Sequence, residues 1–112
     1  MDDLPIIQKT YDLVKWYVPI LNRLPRNHKF LLGDRIITNL YEILDNLVLA
    51  RYAAHKIPQL ENVNSKLELV RIQTRLLYEF SLIDGSRYEY VQKLINNIGI
   101  DLGGWLKQQR MR

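Results

Sequence analysis

Cysteine is absent from the 112 residues. That removes disulfides, thiolate nucleophiles and every cysteine-containing metal site. No uninterrupted apolar run is longer than the four residues Leu47–Ala50, far short of the ~20 needed to cross a bilayer. Glycine (5) and proline (4) are sparse, so the chain has few places to turn. Strand signals are weak, with no long alternating run and no Asn-Gly hairpin. The two histidines, His28 and His55, are far apart, whereas a metal site needs three or four converging ligands. There is no Gly-x-Ser-x-Gly elbow and no phosphate-cradling glycine loop. Carboxylate pairs such as Glu42/Asp45 have the spacing of an exposed helical face. These absences point to a chain that is not an enzyme and takes no metal and no cofactor. The opening Met1-Asp2-Asp3 is acidic and is not followed by a signal-type apolar stretch, so the expected location is the cytoplasm.

What is present suits one small soluble domain spanning residues 1–112, with 47% hydrophobic and 25% charged residues. Sixteen Lys+Arg against twelve Asp+Glu give a net charge of +4, a mild preference for an acidic partner such as nucleic acid. The excess is local. Residues 25–35 carry Arg26, Lys29 and Arg35 against Asp34, and residues 101–112 carry Lys107, Arg110 and Arg112 against Asp101.

Proline and glycine divide the chain into four segments of helical periodicity. The first runs from about Leu4 to Leu24, with Ile7, Tyr11, Val14, Val18 and Leu21 on one face and Pro19 expected to kink or break it. Leu13, Trp16 and Ile20 fall away from that face. The second runs from about Gly33 to Ala54, with a wide arc from Ile36 and Ile37 to Tyr52, interrupted by Arg51. Arg51 must either snorkel and pair structurally or contact a partner. The third runs from about Pro58 to Ile83 through Leu60, Val63, Leu67, Val70 and Leu77. The fourth starts at Ser86, where Ser86-x-x-Glu89 reads as a capping box. It repeats Tyr88, Val91, Ile95, Ile98, Leu102 and Trp105. Gly99, Gly103 and Gly104 either end it or permit close helix approach. Short connections force sequential helices antiparallel, so the expected fold is all-α, an up-down-up-down four-helix bundle.

The third segment carries a second apolar stripe, Leu69, Ile72, Leu76, Phe80 and Ile83, opposite the first at ~100° per residue. Either a wide arc touches both flanking helices, or the stripe meets another copy of the chain. Its continuity favours the second, because a monomer rarely leaves such a stripe in water. Arg71 and Arg75 flank it, with Glu68 and Glu79 at salt-bridge spacing. An antiparallel bundle places Arg26, His28, Lys29, Arg35 and Arg87 at one end. It places Lys56, Lys107, Arg110 and Arg112 at the other.

Five blocks occur in order: Leu24-Pro25-Arg26-x-His28-Lys29-Phe30-x-Leu32-Gly33-Asp34-Arg35-Ile36, Ala50-Arg51-Tyr52, Leu67-x-x-x-Arg71, Tyr88-Glu89, and Ile98-Gly99-x-x-Leu102-Gly103-Gly104-Trp105-Leu106-Lys107. Together they closely resemble the accessory variability determinant proteins of diversity-generating retroelements. Those belong to a wider four-helix-bundle family that includes proteins encoded in intervening sequences of ribosomal RNA genes. The resemblance implies a non-enzymatic partner of a reverse transcriptase. It also implies a barrel-like homopentamer that presents basic surface to RNA and DNA during mutagenic copying. On that reading Arg26, His28, Lys29, Arg35, Arg71, Arg75, Lys107 and Arg110 contact nucleic acid or the transcriptase. Leu69, Ile72, Leu76 and Phe80 form the subunit interface. The alternative is a self-assembling bundle of the intervening-sequence type with no transcriptase partner.

Overall fold

In a computed structural model the described residues are 4–112; the acidic Met1-Asp2-Asp3 lies outside them. All regular structure within them is helical. Helix α1 spans Pro5–Asn22, a single turn α2 spans Arg26–His28, and a π-helical turn covers Lys29–Gly33. Three long helices follow: α3 (Asp34–Tyr52), α4 (Ile57–Glu79) and α5 (Gly85–Arg110). Each of α1, α3, α4 and α5 packs on two of the others, α1 and α4 being diagonally opposite. This is a four-helix bundle. Cross-helix partners run in opposite senses: Glu42 meets Lys66 and Asn39 meets Gln73, while Glu61 meets Arg110 and Arg71 meets Asn96. The contacts of α1 with α5, Lys9 to Asp101 and Trp16 to Tyr90, reverse in the same way.

The core is built from one face of each helix: Leu13 and Leu21, Ile36 to Leu47, Leu60 to Leu77, and Val91 to Leu106. The buried face of α1 is wider than periodicity predicts: Ile7, Val14 and Leu21 are buried as expected, and Ile6, Leu13 and Tyr17 join them. Leu13 is fully buried while Tyr11 is exposed, because Ile6, Thr10, Leu13 and Tyr17 point between α3 and α5. The polar Thr10 conceals this line in the sequence; its hydroxyl donates to the Ile6 carbonyl at 2.8 Å. Pro19 does not break α1, which runs unbroken past it. Lys15, whose carbonyl a residue 19 amide would have reached, is itself exposed to water.

The connections carry the other corrections. The stretch after Leu24 is a helical turn rather than a loop, with Pro25 at its N-cap. Gly33 closes it: a Cβ there would sit 3.3 Å from Leu24 Cδ1. Helix α4 ends at Glu79, four residues earlier than expected. Ser81 takes φ 60°, its N–H bonds Tyr78 O, and Leu82 N–H bonds Leu77 O at 2.8 Å. This is the helix-terminating left-handed turn that glycine usually supplies. It turns Ile83 into the core, so Ile83 leaves the outer stripe. Asp84, not Ser86, caps α5, its carboxylate accepting from Arg87 N–H at 2.8 Å. The late glycines do not end α5. Gly99 instead makes room for the Arg71 guanidinium, which would lie 2.8 Å from a Cβ.

One buried polar pair crosses the core diagonal. The Tyr17 phenol on α1 hydrogen-bonds the Thr74 hydroxyl on α4, and both side chains are inaccessible to water. Burial pushes the Tyr17 phenol well above its ordinary range, against a smaller opposing pull from Thr74. The phenol therefore stays neutral. Tyr17→Phe should lower unfolding free energy by about 1–2 kcal/mol with helix content unchanged, as read by urea denaturation. The added change Thr74→Val should restore part of the loss.

Candidate nucleic-acid and subunit interfaces

The expected contact residues separate into three groups once their partners are known. Arg26, Lys29 and Arg35 stand on or beside the π-helical turn and make no ion pair among the described residues. Arg26 holds its guanidinium 6.0 Å from the Phe30 ring centroid, and the His28 ring lies 5.8 Å from Phe80. Arg23 and Arg87 both line a small recess of about 130 Å³ at the same end. Arg87 is also drawn toward Asp84 at 3.5 Å. This end of the bundle is basic, with exposed aromatic rings among the cations.

Arg71 and Arg75 form the second group, and both are held by carboxylates. Arg71 donates to Glu68 at 2.8 Å and to Asn96 at 3.3 Å. Arg75 donates to Glu79 at 2.6 Å, an interaction that pushes its pKa up and keeps it charged. These exposed pairs neutralise the flanks of the α4 stripe and contribute little stability.

The third group lies at the far end. Lys107 is exposed and has no ion-pair partner among the described residues, whereas Arg110 pairs with Glu61 at 3.2 Å. Lys56 is not part of a basic surface there. Its ammonium donates to the carbonyls of Ala50, Arg51 and Ala53 at 2.9, 3.1 and 2.9 Å. Helix α3 has no glycine at its end, and Ala53 leaves in an extended conformation. Lys56 thus satisfies the orphan carbonyls that a terminating glycine turn would otherwise cover. Arg51 is partly buried, with its guanidinium 5.6 Å from the Tyr52 ring.

The α4 stripe is open. Leu69, Ile72, Leu76 and Phe80 are 47, 55, 37 and 54% exposed. Leu69 and Gln73 line a recess of about 430 Å³ with Asp34, Arg35, Thr38 and Asn39. The basic segment and the apolar stripe therefore meet at Arg35. Trp16 and Ile20, the other outward candidates, are half-buried against the core. Among the described residues no three His, Asp or Glu side chains come together as metal ligands. Among the described residues no helix is long and apolar enough to cross a membrane.

The Lys56 clamp yields a direct test. Lys56→Met keeps the aliphatic stem and removes three charge-assisted hydrogen bonds. It should destabilise the fold by about 1.5–3 kcal/mol in chemical denaturation, and an unchanged midpoint would contradict the clamp.

No curated protein matches this chain. The sequence profile described as bAvd-like matches residues 4–109, almost the whole of the bundle from the start of α1 to the last turn of α5. That match spans the α2 segment, the α4 stripe and the Gly-Gly-Trp-Leu-Lys ending together, and the chain belongs to the bAvd-like family.

Proposed function

We propose that this protein is a non-enzymatic accessory factor of a retroelement reverse transcriptase, acting in the cytoplasm as a ring of five single-domain copies. The ring binds the transcriptase and nucleic acid, RNA template or cDNA, and supports mutagenic copying without a cofactor. The observation that carries this reading is the meeting of the open α4 stripe with the basic segment at Arg35 and Leu69. Assembly through Leu69, Ile72, Leu76 and Phe80 would set the Arg26, Lys29 and Arg35 groups of successive copies around one object. A charge of +4 per chain is modest, but phosphate binding responds to the sum over a ring. Several weak surfaces on one rigid body raise the effective concentration of RNA and enzyme side by side.

Phosphate contact on this reading falls first to Arg26, Lys29 and Arg35, with His28 beside them, and to Lys107 at the far end. Arg71, Arg75 and Arg110 take part by exchanging their carboxylates for phosphate. Contacts of this kind are insensitive to sequence and weaken steeply with salt.

Leu76→Glu should produce smaller species with unchanged helix content, read by light scattering and circular dichroism. The accessory role is tested in a reconstituted reaction of the cognate transcriptase with template-repeat RNA. cDNA yield should depend on this protein. Equal yield and an equal start site without it would refute the role and leave a self-assembling bundle with no transcriptase partner.

A further inference from the structure

The π-helical turn does something that an α-helical turn would not need. Lys29 N–H bonds the Pro25 carbonyl at 2.9 Å in ordinary α register, but Asp34 N–H reaches back five residues to the Lys29 carbonyl. The widened turn carries Leu32 and Gly33 into the core and leaves Phe30 and Leu31 outside, 60 and 71% exposed. Two adjacent large apolar side chains in water are unfavourable, and π-turns recur where function maintains them. Phe30 is also not isolated. The Arg26 guanidinium sits 6.0 Å from its centroid, and Lys29 is the neighbouring residue. Arg26, Lys29 and Arg35 have no carboxylate partner among the described residues.

An apolar protein partner would be matched by an apolar patch with paired charges at its rim. A ring flanked by uncompensated cations suits a different ligand: the face of an unpaired base, with its phosphates on the cations. Every base has a π-face, so such a surface binds without sequence preference. A duplex offers its phosphates but keeps its base faces stacked inside.

We infer that Phe30, with Arg26 and Lys29, is a stacking platform for single-stranded nucleic acid. The inference rests on the nucleic-acid part of the reading above and narrows it to unpaired strands, by a ring-to-base contact that the charges alone do not provide. Phe30 stacks on one base, Arg26 holds the ring's other neighbour or the adjacent phosphate, and Lys29 takes a phosphate. The platform does not use Phe80, which the His28 ring of the same turn approaches to 5.8 Å.

The test is fluorescence anisotropy of the full chain with a labelled RNA of about 15 nucleotides, a length within the usual reach of one such site. It is run single-stranded and as a blunt duplex, at the same low salt. Phe30→Ala should weaken single-strand binding by roughly 5- to 150-fold, the range that loss of one base–aromatic stack gives. Duplex binding should change by less than about 2-fold on the same scale. Phe30→Trp should restore single-strand affinity, which a merely structural role for Phe30 would not predict. Equal loss for both probes, or no loss for either, overturns the platform while leaving charge-based binding in place. Failure of the wild type to bind either probe overturns the nucleic-acid reading itself, and the platform with it.

Discussion

Helix α4 is apolar on two sides, and a bundle of four helices can bury only one of them. Leu60, Val63, Leu67, Val70 and Leu77 face the core and lose all contact with water. Leu69, Ile72, Leu76 and Phe80 lie on the opposite side and keep it. Covering such a half-exposed side chain is worth on the order of 1 kcal/mol, so a row of four contributes roughly 4 kcal/mol from this face, to which the opposing face of a neighbouring copy would add its own burial. The carboxylates Glu68 and Glu79 quench Arg71 and Arg75 beside the stripe. An apolar contact there would not have to desolvate unpaired charge.

The remainder of the molecule keeps that face rigid and sets the basic end beside it. The Lys56 clamp closes α3 and starts α4 within a four-residue connection, and the Asp84 cap starts α5 directly after the Ser81 reversal. At the core, Tyr17 reaches the bundle diagonal to Thr74 and fixes α1 against α4. The recess shared by Arg35 and Leu69 lies between α3 and α4, so basic and apolar surfaces are neighbours on two packed helices of the bundle.

Much of this was legible in the sequence because it depends on periodicity. The four helices, their order and the double-faced α4 all follow from apolar residues repeating every three or four positions. The pairs Glu68–Arg71 and Arg75–Glu79 follow from spacing alone. Features set by tertiary contact were not legible. Thr10 and Thr74 carry polar side chains that periodicity does not count toward a core, yet each is buried with its hydroxyl satisfied. Lys56 read as one more cation, but its ammonium ends a helix that lacks a glycine signal. Ser81 in a left-handed conformation gives no composition cue, so periodicity alone carries α4 on to Ile83 and puts that residue on the outer face, whereas it is buried. The π-helical turn has no sequence signature of its own. A clue was nevertheless present in Phe30-Leu31-Leu32, three large apolar residues in a row that one face of a helix cannot bury together.

The most direct test of the account is the mass of the wild-type protein in solution at micromolar concentration, by multi-angle light scattering. A ring of five 13.4 kDa chains is the expected result. The mass of a single chain, with Leu69, Ile72, Leu76 and Phe80 left in water, would contradict it.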